Sequence, residues 1–417
     1  MTQNITQQIT ASLARRHAAE RRFRAYGIGA LGFACAMLLV LLVSIIRPGV
    51  NGFTRHELRL EIPVTSISET TDYYALAQTS LRATLPPPPT QTAERHRLYA
   101  LLGFFAANDV KRALADRTTQ DAKGIATVWV PLSDKADLTL KGTIDRASDP
   151  LTRPISDAQL AWLDAWQRDG RIRRAFNWDF FTHGDSRAPE AAGFGGAIVG
   201  SLLVLAVCLL LAVPVAVMAA ITLEEFARKN RAMEALEITI NNLAAVPSII
   251  YGLLGLAVFL QLFGMPRSSP LIGGFTLALL ILPVMIIAAR AAIRAVPPSI
   301  RHAATALGAT KLQVVRHHVL PCALPGIMTG TILSICRALG ETAPLLLIGM
   351  VAFVADVPRG ITDPSTTMPV AVYLWASSPE AGFMEKTSAG IIVLLVILLL
   401  MNLAAIRLRN RSQKVWN

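Results

Sequence analysis

The chain has 417 residues, of which 53% are hydrophobic and only 16% charged. Soluble domains carry about a quarter charged residues, so an ordinary soluble globule is excluded. The net charge is +12, but the basic residues are spread over separate loops, which argues against nucleic acid as the partner.

A bilayer-crossing helix needs roughly 20 apolar residues in a row. The first such run is Gly27–Ile46, behind Arg15, Arg16, Arg21, Arg22 and Arg24. It is longer than a signal-peptide core and no small-residue cleavage site closes it, so a retained helix is expected. A polar segment follows, Arg47–Glu190, with 19 Lys/Arg against 18 Asp/Glu. That balance is not a trap for anions, and the segment is large enough to fold independently. Its pattern predicts strands at Glu57–Val64 and Ala126–Pro131 and helices over Leu98–Ala115 and Asp157–Arg168. Pro86–Pro89 reads as an extended spacer. Trp129, Trp162, Trp166 and Trp178 read as its core.

Five more apolar runs come after Glu190: Phe194–Ile221, Ile238–Phe263, Leu271–Ile293, Ala323–Phe353 and Ala389–Ile406. Six spans are therefore expected, with kinks at Pro214, Pro247 and Pro283. Basic residues cluster before the first span, after the second and fourth, and in the tail, while the opposite short loops hold only Arg267, Arg359 and Lys386. The positive-inside rule then puts both termini in the cytoplasm and Arg47–Glu190 outside. Cys35, Cys208, Cys322 and Cys336 all lie outside that polar segment and show no metal-ligand spacing, so they are expected to fill apolar space.

The loop after the fourth span opens Pro297-Pro298-Ser299-Ile300-Arg301-His302-Ala303-Ala304 and reaches Leu307-Gly308. Proline is pre-organised for a first helical turn, and Ile300, Ala303, Ala304 and Leu307 recur at helical spacing. Gly308 predicts a stop, and Lys311–His318 a second short helix before Leu320-Pro321. In the fifth span Arg337 and Glu341 stand four apart inside an apolar run. An arginine at mid-bilayer costs roughly 2.5–3.5 kcal/mol, so this face must meet a polar pathway or a partner. A guanidinium suits an oxyanion, and a carboxylate would accept the proton of hydrogen phosphate, which sulfate lacks. The alternative is an ion pair that neutralises itself. Thr342 and Pro344 are placed to interrupt the helix. Arg290, near the end of the fourth span, is expected to snorkel to the interface.

The loop resembles the cytoplasmic loop of binding-protein-dependent ABC permeases, E-A-A-x-x-x-G-x(9)-I-x-L-P. Ala303, Ala304, Gly308, Leu320 and Pro321 fall at its spacings, with His302 in place of the glutamate and His318 in place of the isoleucine. Arg337-Ala338-Leu339-Gly340-Glu341-Thr342-Ala343-Pro344 and Ala245-Val246-Pro247-Ser248-Ile249-Ile250-Tyr251-Gly252-Leu253 further resemble phosphate-specific permeases of the PstA type. So do Thr362–Val370 and Glu385–Ala389.

The resemblance implies an all-α polytopic membrane protein of the MetI-like permease fold, with an inserted mixed α/β domain outside the membrane. The expected divisions are 1–26, the first span at 27–46, the polar domain at 47–190, a permease core at 191–408 with a coupling loop at 294–322, and a tail at 409–417. It implies an inner-membrane importer of inorganic phosphate, or of another oxyanion such as sulfate or molybdate. Partners would be a PstC-like second permease, an ATPase dimer and a periplasmic phosphate-binding protein. Arg301, His302, Ala303, Ala304, Leu307 and Gly308 would meet the ATPase; Arg337, Glu341 and Thr342 would line the pathway. No Walker motif is present, so the chain itself is expected to be non-catalytic and free of cofactors, with ATP and Mg used by the partner. A ligand sensor would account for the polar domain but not for the loop, and a passive channel needs no docking hairpin.

Overall fold

The computed structural model describes residues 2–63, 72–85, 88–89, 91–115, 125–150, 153–228, 230–351 and 353–412. Contacts divide the chain into two compact units, Met1–Pro48 and Gly49–Asn417. Helix α1 (Thr2–Gly52) makes up the first unit and crosses the division. Its stretch Arg16–Gly52 is long and apolar enough to cross a bilayer.

The polar domain in the second unit has a three-stranded antiparallel sheet in the order β2-β1-β3, with β1 (Thr54–Pro63) between β2 (Ile125–Pro131) and β3 (Ile172–Phe176). Alternation along β1 turns Leu58, Leu60 and Ile62 inward, opposite Val130, Val128 and Ala126. They pack against helices α2 (Tyr73–Ala83), α3 (Thr92–Tyr99), α4 (Ala106–Ala115) and α6 (Asp157–Arg168). A further helix, α5 (Asp134–Leu140), follows β2 directly. The expected strands and the 157–168 helix are present, although Val64 and two of the prolines at 86–89 lie outside the described residues. The expected helix over 98–115 is instead two, α3 and α4. Gly103 turns away between them so that its amide can reach Pro131 O at 2.8 Å, a site where a Cβ would stand 2.9 Å from that oxygen. Of the four tryptophans Trp166 is fully buried, its Nε1 donating to Thr84 Oγ1 at 2.9 Å. Trp129 points to the other face of β2 under the Arg173 guanidinium. Trp178 is 69% exposed and packs on Phe176, so it is not core. It follows β3 as the N-cap residue of the short α7 segment (Asp179–Thr182).

Helix α8 (Gly195–Ile221) continues through a wide π turn at Thr222–Phe226. The third span bends where a kink is expected: α9 (Arg231–Ala244) and the helix beginning with α10 (Ser248–Leu254) meet at 101°. Pro247, with no amide hydrogen to donate, stands at this break. Pro214 and Pro283, by contrast, lie inside continuous helices, α8 and α11 (Pro270–Arg294). Helix α12 (Pro298–Ala306) and α13 (Lys311–Val314) form the hairpin after α11, and α13 runs through a π turn into α14 (Leu320–Gly340). The expected separate second hairpin helix is thus the start of the fifth span, since Lys311–Gly340 runs as one helical stretch. Glycines bring α14 onto α11: a Cβ on Gly330 would lie 2.5 Å from Ala288 Cβ, and one on Gly326 2.7 Å from Ala292 Cβ. After α15 (Ala343–Leu347) and α16 (Met368–Ala376), α17 (Gly382–Ser412) completes the unit. Among the described residues five helices are long and apolar enough to span, and there are six if the bent pair counts as one span.

The polar domain is bound to the start of α17. Lys141 Nζ donates to Glu385 Oε2 at 3.0 Å, and Thr143 Oγ1 to Glu385 Oε1 at 2.8 Å. Close approach there requires glycine, because a Cβ on Gly52 would meet Glu385 O at 2.7 Å.

Candidate functional site

Helix α14 ends at Gly340. Glu341 is extended, at φ −78 and ψ 125, and Thr342 starts α15 with Pro344 in its first turn. The helix is therefore interrupted at Glu341-Thr342, the residues expected to line a pathway. Arg337 still reaches Glu341, Nε to Oε1 at 3.7 Å. Among the described residues this carboxylate is the guanidinium's one ionic partner, at a separation longer than a hydrogen bond. The Arg337 side chain is 37% exposed on the chain and Glu341 19%, so donors remain open on the face of an apolar helix.

Two of the four sequence phrases that resemble phosphate permeases meet here. A Cβ on Gly252 would lie 2.6 Å from Pro344 Cα, which sets α10 directly against α15. Tyr251, beside that glycine, donates from its hydroxyl to Leu243 O at 2.7 Å and so ties α10 back across the bend to α9. On the other side, Cys336 Sγ donates to Asn402 Oδ1 at 2.8 Å and joins α14 to α17. Cys336 thus does more than fill space, whereas Cys208 is simply buried. Among the described residues no group of three or more His, Cys, Asp or Glu is arranged to hold a metal.

At the hairpin, Pro297 and Pro298 open α12, and Gly308 closes it at φ +82, a conformation L side chains avoid. Of the small apolar face expected there, only Ala304 is buried, packed with Ala220, Ile293 and Val319, and Ile300 half joins it. His302, Ala303 and Gly308 are exposed, and Leu307 is 90% exposed. Leu307 falls past the last turn of α12, where the chain turns away from the helices beneath. Arg301 differs from its neighbours: its guanidinium is occupied inside the chain by Glu225 Oε1, at 2.8 and 3.0 Å, and by the carbonyls of Val296 and Ile293.

Arg290 does not snorkel. It is 8% exposed, with Nε 2.7 Å from Glu224 Oε1 and Nη2 bonded to Glu237. Glu224 also accepts from Arg294 Nη2 at 2.7 Å. Glu224, Glu225 and Glu237 were all missed by sequence reasoning. The available signal was a pair of adjacent acids, Glu224-Glu225, closing an apolar run opposite loops rich in arginine.

Residues 212–414 match the family described as binding-protein-dependent transport system inner membrane component. Residues 10–149 match a domain of unknown function, DUF3333. The phosphate transport system permease protein PstA 1 of Mycobacterium tuberculosis (strain CDC 1551 / Oshkosh) is 33% identical over 241 residues, covering 57% of this chain and 77% of the relative. PstA of Haemophilus influenzae is 30% identical, covering 55% and 80%. A solved structure of the MetNI methionine ABC transporter, inward-facing, aligns over 52% of this chain and 94% of its own at 16% identity, TM-score 0.42. The chain belongs to the PstA family of phosphate transport system permeases, within the binding-protein-dependent inner-membrane components.

Proposed function

We propose that this chain is the permease subunit of an ATP-driven importer that moves inorganic phosphate across the inner membrane. The observation that carries the reading is the α10–α15 junction. In a chain of the PstA family, it brings the Tyr251-Gly252 phrase against Pro344, beside the interrupted helix that holds Arg337 and Glu341. Arg337 would present its free donors to phosphate oxygens, Glu341 would accept the proton of hydrogen phosphate, and Thr342 would offer a polar group where the helix is open. Both termini and the 294–322 hairpin would lie in the cytoplasm, with the polar domain outside. A PstC-like second permease would cover the exposed Arg337 face, a periplasmic phosphate-binding protein would deliver cargo, and an ATPase pair would receive the Leu307 tip. That pair, not this chain, would hydrolyse ATP.

Uptake of labelled phosphate in cells lacking their own high-affinity system, with this chain and its neighbouring subunits restored, tests the reading. Uptake resistant to sulfate and molybdate, and lost in correctly inserted Arg337→Ala and Glu341→Gln, is expected. Uptake that sulfate or molybdate suppresses would assign the permease to those oxyanions instead. Full uptake in both variants would reduce the pair to structure.

A further inference from the structure

The π turn that closes α8 directs two consecutive carboxylates to different partners. Glu224 accepts from Arg290 and Arg294 of α11, and Arg290 also binds Glu237 of α9. Glu225 turns to the hairpin, where Arg301 grips it through Nε at 3.0 Å and Nη2 at 2.8 Å. The same guanidinium donates to Ile293 O at 2.9 Å in the last turn of α11 and to Val296 O at 2.6 Å just past its end. Arg301 therefore joins three elements: its own α12, the end of α11 and the end of α8. Both side chains are largely covered, Glu225 at 10% and Arg301 at 24% exposure.

We infer that the Glu225–Arg301 bridge is the fastening through which the hairpin moves the spans, a positioning pair for coupling ATP hydrolysis to transport. This rests on the importer reading above and deepens it. The apolar footing of α12 is small, since among its nine residues only Ala304 is buried. A load applied at the protruding Leu307 would peel so short a helix away if apolar contact alone held it. The planar fork of arginine resists this by binding a carboxylate and two carbonyls in fixed directions, which an ammonium on a flexible stem cannot do. Glu224, from the neighbouring position of the same turn, holds α11 and, through Arg290, α9. A displacement of α12 is thus delivered to three spans at one point. Arg301 is accordingly an internal strut and not a surface that recognises the ATPase.

The full complex, reconstituted in vesicles, tests this when phosphate uptake and ATP hydrolysis are read on one sample. In Glu225→Gln the phosphate moved per ATP should fall about tenfold, within the range that substitutions along a coupling route produce. The complex should still assemble and hydrolyse ATP. Glu225→Asp should recover most of the ratio, and Arg301→Lys, which keeps the charge but loses the fork, should behave like Glu225→Gln. An unchanged ratio in Glu225→Gln, with a working wild type, overturns the fastening while leaving the importer intact. Failure of that variant to assemble overturns it too, by making the bridge a docking or folding element. A wild-type complex that takes up no phosphate overturns the importer reading itself.

Discussion

Lys141 offers the sharpest test of how the polar domain is held. Its side chain is 4% exposed and its Nζ lies 3.0 Å from Glu385 and 2.6 Å from Asp137, whose side chains are 7% and 14% exposed. Lys141→Met keeps most of the volume and leaves two covered carboxylates without their cation. Removing one partner of a buried pair costs about 3–5 kcal/mol. Thr143 still serves Glu385, and His56 still serves Asp137 through both its amide and its ring, so the lower end is expected. About 3 kcal/mol corresponds to roughly a hundredfold faster local opening. Hydrogen exchange on the full chain in detergent should show this at amides of β1 and α5, with α11 unaffected. Adding Glu385→Gln removes one stranded charge and should recover part of the protection. Exchange within about threefold of wild type in the single variant, well short of what loss of a buried partner predicts, would refute the argument. So would a double variant more open than the single.

Two further outcomes follow from the same geometry. Burial, with Glu190, Asp137 and Glu385 nearby, pushes Asp134 up from 3.8 to about 6. The folded domain then holds this proton more tightly than the unfolded chain, so Asp134 lowers stability as pH rises from 3.8 to about 6, and its effect is level above that. Asp134→Asn should flatten this slope in unfolding curves of the polar domain, and parallel curves for variant and wild type would rule the effect out. Leu307→Asp, at a position 90% exposed, should change the chain's own stability by no more than about 0.5 kcal/mol, as exposed substitutions generally do. It should nonetheless weaken capture of the ATPase subunit, and undiminished capture would remove Leu307 from the docking surface.

Much of this protein is legible without coordinates because the governing signals are local. Apolar run length identifies the spans, since a bilayer demands about 20 such residues whatever surrounds them. Proline and glycine at Pro297, Pro298 and Gly308 mark the ends of α12, because backbone restriction at one residue needs no partner. Period-two alternation marks β1 and β2. Pro344, in the first turn of α15, is the local signal for the break at Glu341-Thr342, though Pro214 and Pro283 leave their helices continuous.

The tertiary structure decided what depends on residues far apart. Pro247 marks a break between α9 and α10, but its 101° angle goes with the Tyr251 hydroxyl reaching Leu243, a contact no local signal reports. Arg290 looks like a snorkelling residue until Glu224 and Glu237 arrive from two other helices. Arg301 has the composition of a docking residue, yet Glu225, 76 positions away, and two carbonyls occupy it. Trp178 reads as core by residue type, but its place after β3 leaves it exposed. In each case the sequence sets a side chain's bonding capacity, while only the packed helices decide which group meets it.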